Sequence, residues 1–569
     1  MSKILRIDMW NKTISYEDAL EKYELFGGRG LIASILNDEV DPECDPLGKE
    51  NKLIVCPGLM TGSAAPCSGR LSVGGKSPLT GTIKEANAGG IVAMQMAKLD
   101  LKAIVVESRP EKAGWSILLV RENEARLISA DEYAGMNNYE LTEKLFEVYG
   151  DHIGIASIGG AGERGYCNST VQITGFNGYP SRAAARGGLG AVMGSKGLKA
   201  IVVDARKPSN PKYADKERFL RASRGYIAGI RENGVSGQAM PALGTAVLVN
   251  MVNAIGALPT RNYSRGSFEH AEEISGESLL KLQGQRNGKV GHPCHPGCVI
   301  GCSNTYNDEK GNYLTSGLEY ETIGMVGSNC GISSLDTIAE IDRLCDDFGL
   351  DTMDTGATIG ICMEAGLLPF GDERGAIGLV KEMIEGTELG RLLGHGADYA
   401  GRILGVKRIP TVKGQALAAY DPRSLKGTGV TYATSPMGAD HTAGNSLGNP
   451  AADPVSKEGQ VELSGGLQVG MATFDNLGMC IFSGFCTDKP ANVAYLVEMM
   501  AARFGGEWDA NRLFGIGAQT LILEKSFNSK AGFTAADDRL PEFMYMEALE
   551  PNNTVFDING EELSRALAF

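Results

Sequence analysis

The sequence predicts an α+β multidomain protein: a β-rich N-terminal domain that binds a cofactor, followed by two mainly helical domains. The 569 residues are enough for roughly two to four domains at about 150 residues each. Residues 1–206 contain short apolar runs typical of strands, whereas helical apolar spacing dominates after residue 207. KPSNPK (207–212) and VKRIPT (406–411) mark boundaries, so the predicted domains are 1–206, 207–411 and 412–569.

Six short segments of the first domain predict strands. ILRIDM, LIVCPG, AIVVES and AIVVDA are apolar or alternate over four to six residues, and WSILLV and ARLISA flank 121–124 as a hairpin. Glycine-rich segments lie between them at 27–30, 74–81, 88–90 and 186–190. We expect these segments to be connectors whose backbone faces a ligand.

The middle domain contains the best-marked helix. It begins after the cap Ser333–Ser334, runs through LDTIAEIDRLCDDF and ends at Gly349, which we expect to adopt a left-handed conformation. Asp351 then caps a second helix, TMDTGATIGICMEAGLL. An earlier helix is predicted over ADKERFLRASRGYIAGI.

Composition excludes several classes of function. The chain is 43% hydrophobic and 22% charged, so it can bury large cores. Its 76 glycines are about twice the usual share, which suggests close approach of backbone to a bulky cofactor. A net charge of −15 argues against nucleic acid. No apolar run is long enough to span a membrane, so we expect a cytoplasmic protein.

Cysteines give the strongest local signal. Twelve cysteines in a chain without a secretion signal favour metal or redox use. HPCHPGCVIGCSN places Cys294, Cys298 and Cys302 at C-x3-C-x3-C, where three thiolates can converge on an iron–sulfur cluster. Zinc bound with His292 or His295, and ordinary buried thiols, are the alternatives. A cubane cluster needs a fourth, distant cysteine.

Two separate segments share the pattern Asp-x-x-Gly-Leu/Met-Asp/Cys, at 346–351 and 475–480. In each, an aspartate occupies the last helical turn and a glycine reverses the chain, which aims the carboxylate and the next amides at one place. A carboxylate can accept two parallel N–H bonds from the edge of a pterin. A plain pair of helix ends explains the pattern equally well. The second copy ends in Cys480, the thiolate that the cluster lacks.

Long segments resemble the tungsten-dependent aldehyde:ferredoxin oxidoreductase family. They include GGRGLIASIL, CPGLMTGSAAPCSGRLSVGGKSPLTGTIKEANAGG, RGGLGAVMGSKGLKAIVV, LEYETIG, DDFGLDT, AAYDPRSLKGTGVTYATSPMGADH and DNLGMC, and the resemblance spans nearly the whole chain. It implies tungsten, or occasionally molybdenum, bound by two pterins beside a [4Fe–4S] cluster.

The resemblance also assigns residues to these groups. It makes the cluster ligands Cys294, Cys298, Cys302 and Cys480. It places at the pterins Asp346 and Asp475, with Leu350, Asp351 and Ile481 nearby, and Arg70 between cluster and pterin. It places at the pterin phosphates and their bridging magnesium Asn87, Gly89, Ala184, Ala185, Gly187 and Gly188. The family's usual loop is C-x2-C-x3-C, whereas here the first gap is three residues, and His295 stands where the first cysteine of that pattern would fall.

The implied reaction is oxidation of an aldehyde to a carboxylic acid with oxygen from water, and the electrons pass through the cluster to ferredoxin or a ferredoxin-like subunit. The resemblance places four residues at the metal: Glu321 as the base, His441 as the donor to the carbonyl oxygen, Tyr420 as a hydrogen-bond donor to the substrate, and Tyr320 next to Glu321. The first two roles are exchangeable.

Two other functions stay open: a relative that works reductively on a carboxylic acid or an activated aromatic ring within a larger complex, and a non-catalytic iron–sulfur subunit. A homo-oligomer also stays open. Glu340 matches a position of the iron site that bridges subunits in some members, but no histidine partner follows. Lys281, Arg286 and Lys289 form a candidate docking patch for an acidic ferredoxin.

Overall fold

The N-terminal part of the computed structural model, which describes residues 2–122 and 124–569, contains two six-stranded sheets. The first has the order β2-β1-β6-β3-β4-β5. Strands β1 and β6 are parallel, and all other neighbours are antiparallel. The strands are β1 (Lys3–Asp8), β2 (Thr13–Asp18), β3 (Leu53–Pro57), β4 (Leu71–Lys76), β5 (Ile83–Ala88) and β6 (Leu101–Glu107).

The second sheet repeats this arrangement, with the order β8-β7-β12-β9-β10-β11 and one parallel pair, β7 and β12. Its strands are β7 (Ser116–Arg121), β8 (Glu124–Ser129), β9 (Gly154–Ser157), β10 (Val171–Ile173), β11 (Arg182–Ala184) and β12 (Leu198–Asp204). The helices of both halves are α1 (Gly28–Glu39), α2 (Val92–Lys98), α3 (Asn138–Tyr149), α4 (Gly160–Glu163) and α5 (Leu189–Ser195).

The two halves pack through the helix that precedes the last strand of each. Helix α2 of the first half contacts β9 and β12, while α5 of the second contacts β3 and β4. Apolar side chains from both sheets form one buried cluster around them. The duplication places the loop after β5 and the loop after β11 in equivalent positions, before α2 and α5.

The predicted fold class is confirmed, and the predicted strands appear as β1, β3, β6, β7, β8 and β12. All four predicted connectors are wrong in part: 27–30 contains the start of α1, 74–76 is the end of β4, Ala88 is the last residue of β5, and 189–190 begin α5. Their glycines serve close packing instead. A Cβ on Gly30 would lie 2.0 Å from Asn476 Oδ1, and one on Gly74 would lie 2.4 Å from Ile32 Cγ2.

The rest of the chain is mainly helical. Its helices are α6 (Lys216–Glu232), α7 (Met240–Leu243), α8 (Leu248–Ala254), α9 (Gly276–Gln285), α10 (Tyr320–Thr322), α11 (Leu335–Phe348), α12 (Thr352–Glu364), α13 (Glu373–Glu385), α14 (Glu388–Leu393), α15 (Ala397–Leu404), α16 (Lys426–Thr434), α17 (Gln460–Leu477), α18 (Pro490–Phe504), α19 (Ala510–Lys530), α20 (Phe543–Met546) and α21 (Gly560–Leu563). The cysteine loop lies between two antiparallel strands, β13 (Lys289–His292) and β14 (Ser303–Asn307), and β15 (Tyr313–Ser316) pairs with β14 to complete a three-stranded sheet. A last pair is β16 (Thr411–Val412) and β17 (Gln415–Ala416).

The caps predicted for α11 and α12 are confirmed. Ser334 accepts a hydrogen bond from the Thr337 amide at the start of α11, and Gly349 ends it with φ of 87°. Asp351 caps α12 by accepting from the Met353 amide. Helix α12 ends at Glu364, so the predicted segment extends past it by the residues AGLL.

Residues 246–383 and 416–566 contribute to one large apolar core. The division at 206 and 411 therefore stays our proposal, and the second boundary crosses a shared core. Among the described residues, no single helix is long and apolar enough to cross a membrane. Segments 235–243 and 245–254 pass that test only as a pair, with a bend of 98° between them.

Residues 58–70, which we name the clamp segment, connect the N-terminal domain to both parts of the predicted site. The amides of Leu59 and Met60 donate to the carbonyls of Asn476 and Leu477, each at 2.9 Å, and the Arg70 amide donates to the Gly478 carbonyl at 3.1 Å.

Cys67 extends this contact to the cysteine loop. Its amide donates to the Gly297 carbonyl, and its carbonyl accepts from the Cys480 amide, both at 2.8 Å. The clamp segment thus joins two regions of the chain that are about 180 residues apart.

We predict that Gly58→Ala disrupts this junction. A Cβ at Gly58 would lie 2.0 Å from the Gly478 amide nitrogen, so the two backbones must separate. We expect a loss of about 1–3 kcal/mol of stability and a lower midpoint of thermal unfolding for the cofactor-loaded protein.

Gly466→Ala is the matched control. Gly466 lies within α17 and nothing lies within 4 Å of the added Cβ, so this change should stabilise the helix by about 0.5–1 kcal/mol. Equal unfolding midpoints for the two variants would contradict the role of Gly58.

Candidate active site

One cavity brings together residues from all three predicted domains. It encloses about 1310 Å³ of space not filled by atoms, part of it open to solvent. Most of the predicted site residues line it: Arg70, Asn87, Gly89, Ala185, Cys294, Cys302, Glu321, Asp346, Leu350, His441, Asp475, Cys480 and Ile481. Residues more than 400 positions apart in sequence therefore face one space.

The remaining predicted residues lie behind this lining. They are Cys298, Tyr320, Tyr420, Ala184, Asp351, Gly187 and Gly188. Cys298 belongs to the same loop as Cys294, and Asp351 caps α12 while contacting Arg186 Nε at 3.3 Å. Gly187 and Gly188 have φ of 88° and 72°, and the Gly187 carbonyl accepts from the Ser77 hydroxyl at 2.7 Å.

The cysteine loop connects β13 to β14. Burial raises the pKa of Cys302 well above its usual range, and burial raises the pKa of Cys480 to about 12 although Arg70 opposes this. Thiolates here therefore need cationic partners. Arg70 is one such partner, and the iron of a cluster, which soft sulfur donors fit, would supply further positive charge. No group of three His, Cys, Asp or Glu side chains in the described chain is placed to hold a single metal ion.

His295 is not exposed, and its Nδ1 lies 3.1 Å from the Cys294 sulfur. Its other ring nitrogen is buried without a hydrogen-bond partner among the described residues. In this arrangement the imidazole N–H donates to the thiolate, which lowers the electron density on that sulfur. The histidine that replaces the family's usual cysteine is thus positioned against a predicted ligand.

Asp346, in the last turn of α11, is only 7% exposed. The nearest donor to its carboxyl is Gln172 Nε2, at 3.4 Å. Burial, together with the nearby Asp342, raises the pKa of Asp346 well above its usual range. Two more buried polar atoms of the cavity lining, Ser181 Oγ and Arg182 Nε, have no hydrogen-bond partner among the described residues. These incompletely bonded groups fit a polar ligand such as a pterin.

Asp475, in the last turn of α17, is held by a cation that we did not predict. Its carboxylate contacts Arg29 Nη1 at 3.3 Å, and Arg29 Nε contacts Glu524 at 2.7 Å. Burial raises the pKa of Asp475 to about 6, although Arg29 lowers it. Arg29 and Glu524 are far apart in sequence, so no local pattern predicts this ion pair. The only sequence signal nearby is GGRG, the predicted connector that contains Arg29.

Arg70 lines the same cavity as Cys294, Asp475 and Cys480. Its Nε donates to Asn87 Oδ1 at 2.5 Å, and its Nη2 donates to the Asn87 carbonyl at 3.2 Å. Burial alone would lower the pKa of Arg70, but Cys480 and Cys294 outweigh it and raise that pKa. The guanidinium is therefore a permanent positive charge beside the sulfurs.

Three of the predicted catalytic side chains meet at one carboxylate oxygen. Glu321 Oε1 accepts from the Tyr420 hydroxyl at 2.9 Å and contacts His441 Nε2 at 3.1 Å. Burial would raise the pKa of Glu321, but His441 and the hydrogen bond from Tyr420 outweigh it and lower that pKa. The Tyr320 hydroxyl instead donates to the Ala419 carbonyl at 2.6 Å.

Two further carboxyls, Glu319 and Asp342, line the cavity. Glu319 accepts from the Thr245 hydroxyl at 2.5 Å, and Asp342 accepts from the Thr315 hydroxyl at 2.6 Å. Burial raises the pKa of each to about 7. Glu319 stands within LEYETIG, and Asp342 lies one helical turn before Asp346. Their closeness in sequence to predicted site residues was a signal that the sequence analysis did not use.

The proposed ferredoxin patch is weaker than its sequence suggests. Arg286 forms a two-bond ion pair with Asp336, at 2.5 and 3.0 Å, so its charge is largely offset. Lys281 and Lys289 are exposed.

Glu340, which matches a position of the iron site that bridges subunits in some family members, contacts Lys381 at 3.6 Å.

Cysteines, buried carboxylates and a fixed arginine thus line one cavity, an arrangement that fits a cofactor-binding oxidoreductase. Residues 4–205 match the family model "Aldehyde ferredoxin oxidoreductase, N-terminal domain", and residues 222–567 match the model of its domains 2 and 3. The chain therefore belongs to the aldehyde ferredoxin oxidoreductase family, which confirms the predicted resemblance. Members are tungsten oxidoreductases with pterin and iron–sulfur cofactors.

Individual relatives show how far this likeness extends. The chain is 35% identical to the tungsten-containing aldehyde ferredoxin oxidoreductase of Thermococcus kodakarensis, over 95% of this chain and 90% of the relative. It is 26% identical to the aliphatic sulfonate oxidoreductase, WOR-like subunit, of Pyrococcus furiosus, over 78% and 74% of the two chains. The solved active site complex BamBC of benzoyl coenzyme A reductase, with 1,5-dienoyl-CoA, has a TM-score of 0.81 at 20% identity, covers 99% of this chain and 93% of that one, and shares the fold.

We predict that His295→Leu lowers the reduction potential of the iron–sulfur cluster, on the order of tens of millivolts, because a hydrogen bond to a ligand sulfur is lost. The measurement is a potentiometric titration followed by electron paramagnetic resonance. His295→Asn, whose amide can replace Nδ1–H, should stay near the parent potential, as should His292→Leu outside the contact. A potential unchanged in His295→Leu would contradict this role.

Proposed function

We propose that the protein oxidises a small aldehyde to its carboxylic acid with an oxygen atom from water. Aldehyde and water yield the acid, two protons and two electrons, and the electrons leave singly for ferredoxin or a ferredoxin-like subunit. The observation that supports this proposal is the group formed by Glu321, His441 and Tyr420, because it opens on the cavity that Asp346 and Asp475 line.

The residues present fit the cofactors of the family. We assign Asp346 and Asp475 to the two pterins, with Leu350, Asp351 and Ile481 nearby, and a [4Fe–4S] cluster to Cys294, Cys298, Cys302 and Cys480. We assign the pterin phosphates and their bridging magnesium to the ends of β5 and β11 and the loops that follow them, which contain Asn87 and Gly89, and Ala184, Ala185, Gly187 and Gly188. When bound, the tungsten, or molybdenum, bis-pterin would supply an acceptor for two electrons and the cluster an exit for one at a time.

Glu321 is the proposed base. Its lowered pKa keeps the carboxylate ionised at neutral pH, so it can take a proton from the attacking water. His441 Nε2, 3.1 Å away, is placed to donate to the carbonyl oxygen as negative charge develops there. The two roles stay exchangeable. The Tyr420 hydroxyl is bonded to Glu321 here, so we assign it to orienting that carboxylate, with Tyr320 packed behind it at 5.1 Å between ring centroids.

We predict that Glu321→Gln lowers aldehyde turnover roughly 100-fold or more, because the amide cannot accept the proton. The assay is anaerobic oxidation of a panel of small aldehydes with ferredoxin, followed by mass spectrometry of the acid formed in ¹⁸O-labelled water. Tungsten and iron contents should match those of the unaltered enzyme.

Glu340→Gln on the exposed side of α11 is the control and should retain full turnover. Loss of tungsten from Glu321→Gln would assign that residue to structure. If the unaltered, metal-loaded enzyme oxidises no aldehyde but reduces a carboxylic acid or an activated aromatic ring, the reductive alternative replaces this proposal.

A further inference from the structure

A second cavity lies away from the active site, between the first sheet and the end of α18. It encloses about 1290 Å³ of space not filled by atoms, part of it open to solvent. Its inner wall includes Leu59 and Thr61 of the clamp segment, Lys102 of β6, and Arg503 and Phe504 of α18.

Two cations in this wall have no carboxylate partner. Lys102 is 5% exposed and Arg503 is 9% exposed. The Lys102 ammonium donates only to the Glu24 carbonyl, at 3.3 Å, and Arg503 Nη1 is buried with no hydrogen-bond partner among the described residues. The Arg503 guanidinium lies over the rings of Tyr213 and Phe504, at 5.9 and 5.6 Å from their centroids. Among the described residues, therefore, no carboxylate balances either of these two buried charges, and burying a charge without a counterion is costly.

Most other buried cations of the described chain contact a carboxylate, whereas Lys76 and Lys196 each donate to two backbone carbonyls. Lys84 contacts Asp440 at 2.9 Å, Arg29 contacts Glu524 at 2.7 Å, and Arg423 contacts Asp421 at 2.7 Å. Burial lowers the pKa of Lys102 to about 8, with Arg503 acting in the same direction. Burial likewise lowers the pKa of Arg503. An anion placed between them would reverse both effects.

The rest of the wall limits what kind of anion fits. Leu20, Leu59, Ala97 and Phe504 supply apolar surface. Acidic residues outnumber basic ones at the rim: Glu21 and Glu24 are exposed there, Asp18 pairs with Lys3 at 2.7 Å, and Lys212 is also exposed there. Asp100, also in the wall, accepts from the Ser2 hydroxyl at 2.5 Å. Such a rim repels a polyanion and admits a single negative charge on an apolar body.

We propose that this cavity binds a small monocarboxylate, with its carboxylate at Lys102 and Arg503 and its apolar part against Leu59, Ala97 and Phe504. Nothing in this assignment depends on the proposed function. The occupant would contact Leu59, whose amide is bonded to the Asn476 carbonyl beside Asp475. Binding would therefore stabilise the clamp segment against unfolding.

The test uses the metal-loaded enzyme with sodium butyrate as probe. Lysine acetylation is followed by mass spectrometry, with and without butyrate. A neutral amine is the reactive form, and a bound carboxylate both raises the pKa of Lys102 and covers it. We expect butyrate to slow acetylation of Lys102 several-fold and to leave exposed Lys530 unaffected. Inorganic phosphate should protect Lys102 less than butyrate does.

Isothermal titration calorimetry supplies the second readout. Butyrate binding at this cavity should weaken at least about tenfold in the double variant Lys102→Gln, Arg503→Gln. The matched double variant Arg512→Gln, Lys530→Gln, with both changes exposed on α19, should bind normally. Any butyrate bound at the active site persists in both variants, so the difference between them isolates the second cavity.

Three results would overturn the proposal: no protection of Lys102 by butyrate, stronger protection by phosphate, or equal binding by the two double variants. The protection experiment uses the unaltered chain, so it decides the question even if the Lys102 and Arg503 variant fails to fold.

Discussion

Backbone hydrogen bonds of the clamp segment hold the two halves of the site together. Leu59, Met60 and Arg70 bond the second aspartate motif, and Cys67 bonds both the cysteine loop and the Cys480 amide. Backbone hydrogen bonds fix the distances between the clamp segment, the second aspartate motif and the cysteine loop. The clamp segment therefore fixes the Cys480 backbone relative to the loop that carries the other three cysteines. Glycines at the contact, such as Gly58 against Gly478, allow the backbones to meet.

The surroundings of the cavity are dominated by acids and thiols whose charged forms burial disfavours. Burial raises the pKa of Asp346, Asp475, Glu319 and Asp342, and of the thiols Cys302 and Cys480. Arg70 lowers the pKa of Cys480 and Arg29 lowers the pKa of Asp475, but each arginine offsets only part of the effect of burial. A site of this kind is stabilised when cationic metal centres and hydrogen-bond donors enter it. In the second cavity burial disfavours positive charge instead: it lowers the pKa of Lys102 and of Arg503, so an anion would stabilise that site.

Sequence patterns predicted the helix ends and strands that depend on residues close together in the chain. The caps Ser334, Gly349 and Asp351 located α11 and α12, and apolar runs located six strands. Strand β2 was missed because it is mostly exposed and has no apolar run. The duplicated topology of the two sheets and the pair Arg29–Glu524 were missed because pairing over long sequence separation leaves no local pattern. The cavity brings most predicted site residues together, yet their roles at the cofactors stay proposals.

The central claim is that one cavity holds a tungsten–bispterin beside an iron–sulfur cluster. Anomalous diffraction from crystals of anaerobically purified enzyme, recorded at the tungsten and iron absorption edges, tests it most directly. We expect a tungsten peak between Asp346 and Asp475, and an iron peak among Cys294, Cys298, Cys302 and Cys480. A zinc peak at the cysteine loop, with neither tungsten nor molybdenum in the cavity, would contradict this account.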